Sequence, residues 1–230
     1  ERKVRPEREK LGNNGDALRR KKFWWKWGRY TPALFDAMRE RSETFVICQT
    51  SKYLSIARTP ADLIFSHKIV VIASTDFTLF SLLQSRLHEL WMQFFGSSLE
   101  DRPVYTPSDC FETFPFPVGW ETDAALKADG REYYEHRGAL MVSHDEGLTT
   151  TYNRFHDSAE DDAGILRLRE LHAALDRAVL AAYGWTDLPA ACEFIPDYYE
   201  ENADSEPVAK SIRYRWPDVI RDEVLARLLK

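Results

Sequence analysis

The sequence predicts an α+β fold, in which a mixed strand and helix region is followed by a helical one. Residues 44–73 hold runs of β-branched and aromatic residues between polar turns, a pattern typical of strands. In residues 78–95 the apolar side chains recur every three or four positions, which indicates one amphipathic helix. The same spacing returns in the second half of the chain. We therefore expect a mixed domain over residues 1–120 and a helical region over residues 121–230.

Strands are predicted from β-branched and alternating residues at 44–48, 53–57, 63–65 and 68–73. The polar turn between the first two favours a hairpin. Three polar residues, Ser66, His67 and Lys68, interrupt the apolar run that holds the last two. We expect His67 and Lys68 to be exposed at a strand edge, although a hydrogen-bonded surface histidine is the commoner role for a residue such as His67.

Five helices are predicted from apolar spacing and from start and stop signals, at 33–41, 78–95, 123–141, 165–183 and from Pro217 onward. The Thr–Pro pair at 31–32 is typical of a helix cap and first position. Gly96 and Gly184 are typical of helix ends. Residues 147–157 are predicted to be a long polar loop, and residues 187–207 an irregular acidic segment.

Residues 97–117 are the stretch around which the other elements are arranged. Glu100, Asp101 and Arg102 place opposite charges in a short loop directly after the amphipathic helix. The segment 105–117 is rigid, because its prolines prevent a continuous helix. Its three phenylalanines indicate an apolar strap packed against the rest of the fold. Such a strap would hold the polar side chains of the loop toward a partner.

The composition favours a cytoplasmic protein. The 230 residues suffice for one large domain or two small ones, and no apolar run approaches the length of a membrane span. The three cysteines, at positions 48, 110 and 192, are widely separated, which favours a reducing compartment over disulfides or a zinc site. Because the chain begins with Glu rather than Met, we also expect it to be part of a longer protein.

Charge is distributed unevenly along the chain, whose net charge is −6. Residues 1–30 hold eleven Lys or Arg and four acids, so the remainder carries a net charge of −13. A basic segment on an acidic body is typical of a protein that contacts a polyanion over one surface. For residues 1–15 a solvated terminal arm is the alternative.

Residues 19–30 interleave bases with Phe, Trp and Tyr, a composition typical of nucleic-acid binding. We interpret the aromatic side chains as core and the basic side chains as phosphate contacts. The residues expected to neutralise phosphates, here and farther along the chain, are Lys21, Lys22, Lys26, Arg29, Lys52 and Arg58.

Catalytic and cofactor motifs are absent from the sequence, which has no Gly-rich nucleotide loop, GxSxG elbow, HExxH or CxxC cluster. A nuclease that uses Asp197 and Glu206 is one hypothesis, but the usual acid–x–Lys spacing fails there. We therefore expect a binding module with no cofactor of its own rather than an enzyme. Four residues with acid–base chemistry are expected in ordinary surface or capping positions: His88, Glu89, His156 and His172.

Seven stretches carry a family resemblance: residues 31–34 (TPAL), 83–89 (LQSRLHE), 105–117 (YTPSDCFETFPFP), 146–149 (EGLT), 151–157 (TYNRFHD), 168–172 (LRELH) and 176–180 (DRAVL). Together they resemble the C-terminal part of the Type IIL, MmeI-like fused restriction–modification enzymes. The likeness runs across nearly the whole chain, and the long proline-rich motif is specific.

In that family one polypeptide joins an endonuclease region, an adenine-N6 methyltransferase that uses S-adenosylmethionine, and a target-recognition domain followed by a helical region. The resemblance implies that this chain is the recognition part of such a bacterial, cytoplasmic enzyme, whose parent would use S-adenosylmethionine, and Mg for cleavage. The chain departs from the family by lacking the first two regions, and no Asn/Asp-Pro-Pro-Tyr signature occurs in it. Its implied partners are double-stranded DNA and the methyltransferase domain of the same polypeptide.

The resemblance also implies where bases are read, since the family uses variable positions between fixed motifs. The loop before the Tyr-x-Pro-Ser-Asp motif is one such place, and here it holds Glu100 and Arg102. Glutamate accepts from the cytosine amino group and arginine donates to guanine, so the two can read one base pair. The alternative is an exposed ion pair, which contributes about 0–1 kcal/mol. Lys68, with His67 beside it, matches a second reading position, and Val104 is expected to shape the first contact.

We therefore hypothesise sequence-specific recognition of duplex DNA through the major groove. Recognition would position the target adenine, flipped out of the duplex, for N6 methylation by a methyltransferase domain that this chain lacks. The alternative is a specificity or docking module that binds a separate methyltransferase or phage-defence partner through the apolar faces of helices 123–141 and 165–183.

Overall fold

The computed structural model describes residues 3–26, 31–99, 102–189, 191–201 and 207–230. Backbone contacts divide the chain into two compact units, residues 1–41 and residues 42–230. The mixed helix and strand content confirms the predicted α+β class. Among the described residues, none of the helices has both the length and the apolar character needed to cross a membrane.

The described part of the first unit is helical. Its helices are α1 (Val4–Glu9), α2 (Gly15–Lys22) and α3 (Pro32–Met38). Asn14 caps α2, since its side chain accepts a hydrogen bond of 2.8 Å from the backbone N–H of Ala17. The predicted helix after Pro32 is confirmed, but the side chain of Thr31 makes no capping hydrogen bond.

A three-stranded sheet opens the second unit. Its strands are β1 (Glu43–Cys48), β2 (Ile56–Pro60) and β3 (Ile69–Ile72), in the order β2-β1-β3, and both outer strands run antiparallel to β1. The predicted strand at 63–65 is wrong. Those residues belong to the connection from β2 to β3, where Leu63 and Ile64 are exposed, because a short apolar run does not form a strand without a partner to pair with.

Two helices, α4 (Phe77–Gln84) and α5 (Arg86–Phe95), replace the single helix predicted for residues 78–95. Ser85 separates them, because its backbone is extended and its side chain caps the next helix by accepting from the N–H of His88 at 3.3 Å. A break of one residue leaves the apolar spacing almost unchanged, so the pattern does not reveal it. Gly96 ends α5 as predicted, and all eight residues of α4 are buried.

Helices dominate the chain after residue 120. They are α7 (Ala124–His144), α8 (Leu148–Phe155), α9 (Ala163–Ala182) and α10 (Asp218–Leu228), and a hairpin of β6 (Glu193–Glu201) and β7 (Pro207–Arg215) precedes the last of them. The fold also includes a short hairpin of β4 (Ser97–Leu99) and β5 (Arg102–Val104) and the one-turn helix α6 (Pro107–Cys110).

Two predictions in this half of the chain are wrong. The expected loop at 147–157 contains α8, whose residues Thr151, Tyr152 and Phe155 are buried along one face. The expected irregular segment at 187–207 contains β6. Its acidic residues do not follow the apolar pattern by which a strand is predicted. The other helices, including the last one after Pro217, are confirmed.

One hydrophobic core crosses residue 120. It joins Phe45 of the sheet and Phe80 of α4 to Tyr133 of α7, Leu168 of α9 and Val224 of α10. The chain is therefore continuous in packing at the place where the sequence predicts a boundary, while the backbone contacts divide it after Arg41. A functional division at residue 120 stays a prediction.

The close contact between α4 and α7 depends on Gly130. A Cβ atom at this position would overlap Ser81 Oγ and would lie 2.7 Å from the carbonyl oxygen of Phe77. The Ser81 hydroxyl is held there because it donates to the carbonyls of Leu126 (2.6 Å) and Phe77 (3.0 Å). At Gly138, farther along α7, a Cβ atom would meet nothing within 4 Å.

We expect the substitution Gly130→Ala to lower the free energy of unfolding by about 1–3 kcal/mol, because overpacking must separate α4 from α7. The matched change Gly138→Ala should raise it by about 0.5–1 kcal/mol, since alanine is the better helix former. Urea unfolding of both variants at neutral pH measures the difference. Equal effects of the two substitutions would contradict this account of the helix contact.

Candidate functional site

The end of β1 joins the two segments that were predicted to read bases. The backbone N–H of Gln49 donates to the carbonyl of Lys68 at 2.8 Å, and the Gln49 carbonyl accepts from the N–H of Tyr105 at 2.7 Å. The next residue, Thr50, forms a β-bridge with Val104. Lys68 and Val104 therefore flank one short segment, residues 49–50, although they are far apart in sequence.

Of the charged loop predicted at 100–102, Arg102 is described, and it begins β5 of the β4–β5 hairpin. Ser97 pairs with Val104, and Leu99 pairs with Arg102. Glu100 lies outside the described residues, so its predicted reading role remains a prediction. Among the other predicted reading residues, three are exposed and Val104 is half-buried; the exposed ones are His67, Lys68 and Arg102.

The apolar strap that follows the hairpin is confirmed. Phe114 is buried against the core, and Phe111 and Phe116 pack beside it. The strap is fastened by hydrogen bonds at two places. The Trp91 indole N–H donates to Thr113 Oγ1 at 3.0 Å, and the Tyr183 hydroxyl donates to the Pro115 carbonyl at 2.9 Å. Helix α5 and the residue that ends α9 therefore hold the segment in place.

His88 connects α5 to both ends of this segment, so its predicted surface position is wrong. The side chain is fully buried, its Nε2 lies 2.9 Å from the Tyr105 hydroxyl, and its ring meets Phe114 edge-on at 4.6 Å. Burial lowers the pKa of His88 to about 3, and burial also raises the pKa of Tyr105. Both groups are therefore neutral at physiological pH, and they fix the residue next to Val104. Glu89, the other predicted surface residue of this helix, is half-buried.

A second set of polar side chains covers the free edge of β2. The Gln84 amide donates to the Leu54 carbonyl at 3.0 Å and accepts from the Ile56 N–H at 3.0 Å. Arg137 of α7 donates to the Ile56 carbonyl, to Gln84 Oε1 at 3.2 Å and to the Tyr152 hydroxyl at 2.9 Å. These bonds fix the sheet to the helices of the second half at the end of β1 that Gln49 follows, because Ile56 pairs with Ile47. The sequence feature that could have indicated this network is Gln84, a polar residue in the otherwise mostly apolar helix α4.

A third buried network joins α5 to α9. Arg86 Nη1 lies 2.6 Å from Asp176 Oδ2 and 2.5 Å from His172 Nδ1. Although burial alone would raise it, the neighbouring His172 and Arg86 lower the pKa of Asp176 to about 2. His172 is buried, and desolvation lowers its pKa, so its predicted surface or capping role is wrong.

His156 is half-buried and is the C-cap residue of α8, in keeping with its predicted surface or capping role. Its Nδ1 accepts from the backbone N–H of Tyr214 at 3.1 Å, and its ring stacks on Tyr53 with centroids 5.0 Å apart. Desolvation lowers the pKa of His156 well below its ordinary value, and the nearby Arg213 lowers it further. His156 therefore links the C-terminal hairpin to the loop after β1.

The residues predicted to contact phosphates differ in their surroundings. In the first unit, Lys22 and Lys26 are exposed beside the Phe23 ring, while Lys21 is half-buried with its ammonium 3.0 Å from Asn13 Oδ1. Arg29 lies outside the described residues.

In the second unit, Lys52 is exposed, and its ammonium lies 3.3 Å from Asn153 Oδ1. Arg58 is half-buried, paired with Glu43 at 3.2 Å and placed over the rings of Phe77 and Tyr134. All the phosphate contacts remain predictions.

In the described part of the chain, no three His, Cys, Asp or Glu side chains form a group that could hold a metal ion. Asp197, one of the two acids of the nuclease hypothesis, is paired with Arg213 and Arg215 instead. The other acid, Glu206, lies outside the described residues.

We expect the free energy of unfolding to decrease as the pH falls below about 6.5. Desolvation lowers the pKa values of His88, His156 and His172 in the folded chain, so the unfolded chain binds protons that these three groups do not. Each such histidine contributes up to about 1.4 kcal/mol per pH unit between its folded pKa and 6.5, and nothing above 6.5. Asp176 adds to the loss only below its ordinary value of 3.8. Urea unfolding between pH 4.5 and 7.5 measures the slope.

The substitution His88→Gln isolates one of these groups. It should make the pH dependence shallower by about one proton, whatever it does to the stability at neutral pH. An unchanged slope in this variant would show that the His88 ring is not held neutral by burial.

Parts of this chain are similar to known proteins. Residues 18–118 match the sequence family described as MmeI, target recognition domain. No curated protein sequence matches the chain significantly. Among solved structures, the chain resembles the Type IIL restriction–modification enzyme MmeI in complex with DNA, with a TM-score of 0.57, 21% sequence identity and 80% of this chain covered.

The aligned part is 23% of the length of that enzyme, so the chain spans about a quarter of the relative it resembles. The matched residues 18–118 contain the sheet, the β4–β5 hairpin and the strap, and thus every residue predicted to read bases. Residues 18–118 of this chain are therefore similar to the MmeI target recognition domain family.

Proposed function

We propose that this chain recognises a short sequence in duplex DNA. The observation that carries the proposal is the pair of Gln49 backbone hydrogen bonds, which brings Lys68 and the β5 strand to the same end of the sheet. Direct readout needs several donors and acceptors held in register over adjacent base pairs. The family match of residues 18–118 supports the same role, and so does the likeness to an enzyme solved with DNA.

The β4–β5 hairpin is suited to the major groove, which admits a two-stranded ribbon. In this proposal Glu100 and Arg102 read one base pair, and Lys68 with His67 reads another. Val104 pairs with Ser97 in the hairpin and forms a β-bridge with Thr50. These contacts fix the position of the hairpin, and so of Arg102, relative to the sheet. The rigid strap stabilises this position of the hairpin, because His88 and Phe114 hold Tyr105, the residue after Val104, in the core.

The longer protein would be a restriction–modification enzyme. Recognition by this chain would position the target adenine for N6 methylation by a methyltransferase domain of the same polypeptide that uses S-adenosylmethionine, with Mg required for cleavage. The chain itself supplies no group for either reaction in this proposal. Its task is to select the site and to fix the orientation of the duplex.

The alternative role as a docking module for a separate protein is less well supported. It relies on the apolar faces of the helices now assigned as α7 and α9, and these faces pack against each other and against α4. Leu126, Tyr133, Leu168 and Leu175 are all fully buried there. A partner would have to displace core contacts to use them.

Exchanging the charges of the hairpin should change the DNA sequence that is bound. With Glu100→Arg and Arg102→Glu together, we expect the preference at one base pair to switch and the other positions to stay the same. A good bidentate base contact supplies about 1–3 kcal/mol of discrimination, so the preference should change by about 5- to 150-fold. Selection of bound duplexes from a randomised pool, in the full-length parent, measures it.

A matched control separates reading from phosphate contact. The double substitution Lys22→Gln with Lys26→Gln should weaken binding to every sequence alike and lower the slope of log K against log salt by about 0.9 for each phosphate that is no longer neutralised. An unchanged sequence preference after the charge exchange in the hairpin would remove this loop from the reading role. An unchanged salt slope in the control would remove the two lysines from phosphate binding.

A further inference from the structure

An open groove of about 600 Å³ lies beside the free edge of β2. Its walls come from Ala57 and Arg58 of the strand, from Tyr134 to Val142 of α7, and from the start of α8 at Gly147 and Leu148. Gly138 and Gly147 have no side chain to fill the space, and a Cβ atom at either position would meet nothing within 4 Å. The groove is large enough for a phosphate and the sugar attached to it.

Arg137 lines this groove, and in the described part of the chain no carboxylate pairs with its guanidinium. Its side chain is 2% exposed, and its hydrogen-bond partners among the described residues are all neutral: Gln84 Oε1, the Tyr152 hydroxyl and the Ile56 carbonyl. Among the other buried arginines, Arg86 pairs with Asp176, and Arg169 donates to three backbone carbonyls without lining this groove. A buried cation with neutral partners is costly, and an anion beside it lowers that cost.

The start of α8 supplies a second feature suited to an anion. The helix is eight residues long, and its N-cap is Gly147, which has no side chain to accept from the first N–H groups. Gly147 and Leu148 line the groove together with Arg137. Uncapped N–H groups and the positive end of a helix favour phosphate.

Two basic residues lie on β2 or in the loop before it. Arg58 lines it and lies on β2, two residues from Ile56, which pairs with Ile47 near the end of β1. Lys52 lies in the loop that joins these strands, and its ammonium lies 3.3 Å from Asn153 of α8. The groove therefore borders β2, which pairs with β1 in the three-stranded sheet.

Two acids also line the groove. Glu146 is paired with Arg154 at 3.1 Å, and Asp145 is exposed to water, which screens its charge. The buried Arg137 is screened less, because the electrostatic interactions of a group inside the protein are stronger than those of a group in water. The attraction for an anion is thus strongest in the part of the groove that Arg137 lines.

We propose that this groove binds a phosphate oxyanion, supplied by the backbone of the bound DNA, through Arg137, Arg58 and the first N–H groups of α8. The proposal rests on the proposed function and deepens it. It adds a phosphate anchor beside β2, at one edge of the sheet. Lys68 lies at the other edge, where it precedes β3. Such an anchor fixes orientation and carries no sequence information.

Gly138 allows a test that leaves the core untouched. The substitution Gly138→Glu places a carboxylate in the groove beside Arg137, and Gly138→Gln adds a neutral side chain of the same shape and similar helix propensity. We expect Gly138→Glu to weaken binding to all duplexes by the same factor and to lower the slope of log K against log salt by about 1 relative to Gly138→Gln. Both variants should unfold at the same urea concentration to within a small difference.

Inorganic phosphate distinguishes the source of the anion. At constant ionic strength it should raise the melting temperature of the wild type and of Gly138→Gln more than that of Gly138→Glu. Equal DNA affinity and equal salt slope in the two variants would overturn the proposal. If phosphate stabilisation is lost in Gly138→Glu while DNA binding is unchanged, the groove binds free phosphate, and DNA as its source is excluded.

Failure of the proposed function would be visible separately. Wild-type protein with no sequence preference among duplexes contradicts recognition, whereas the comparison of the two Gly138 variants in inorganic phosphate still decides whether the groove binds an anion.

Discussion

Two hydrogen bonds of the Gln49 backbone join the sheet to the hairpin, and the candidate site depends on them. One is donated to the Lys68 carbonyl and the other is accepted from the Tyr105 N–H. Because both involve backbone atoms of a single residue, the segments on either side cannot shift independently. Side chains that begin at Lys68 and at Arg102 therefore keep a constant spacing, which is what readout of neighbouring base pairs requires.

The buried polar residues of the second unit maintain that spacing. His88 holds Tyr105, Gln84 and Arg137 hold the edge of β2, and the pair Arg86 and Asp176 holds α5 to α9. Removing one partner from such a network leaves a buried group unsatisfied, which costs about 1–3 kcal/mol for a neutral group and more for a charged one. In the proposed recognition role, the helical half therefore stabilises the segments that would read bases, even though its residues lie away from the hairpin in sequence.

Much of the fold could be predicted from local patterns. Helices α7, α9 and α10 have regular apolar spacing and clear start or stop signals, and the prolines and phenylalanines of residues 105–117 indicate a packed strap. The failures share a physical cause, which is that tertiary contacts decided the outcome. Residues 147–157 read as polar, yet Tyr152 and Phe155 form a buried helix face, and β6 is acidic but pairs with β7 along its whole length.

The candidate site was predictable only in part. The exposure of His67, Lys68 and Arg102 followed from their polar settings, whereas the role of Gln49 depends on long-range pairing that no local pattern contains. His88 was assigned to the surface because a histidine on a helix is usually solvated. Its burial depends on Tyr105 and Phe114, which approach it only after the strap has folded back over α5.

Amide hydrogen exchange of the chain, with and without a duplex that contains its site, tests the central claim most directly. The account predicts that DNA protects three separate segments together: residues 49–50, residues 66–69 and residues 102–105. Protection of the hairpin alone, with exchange at residues 49–50 and 66–69 unchanged, would contradict the claim that these segments form one reading surface.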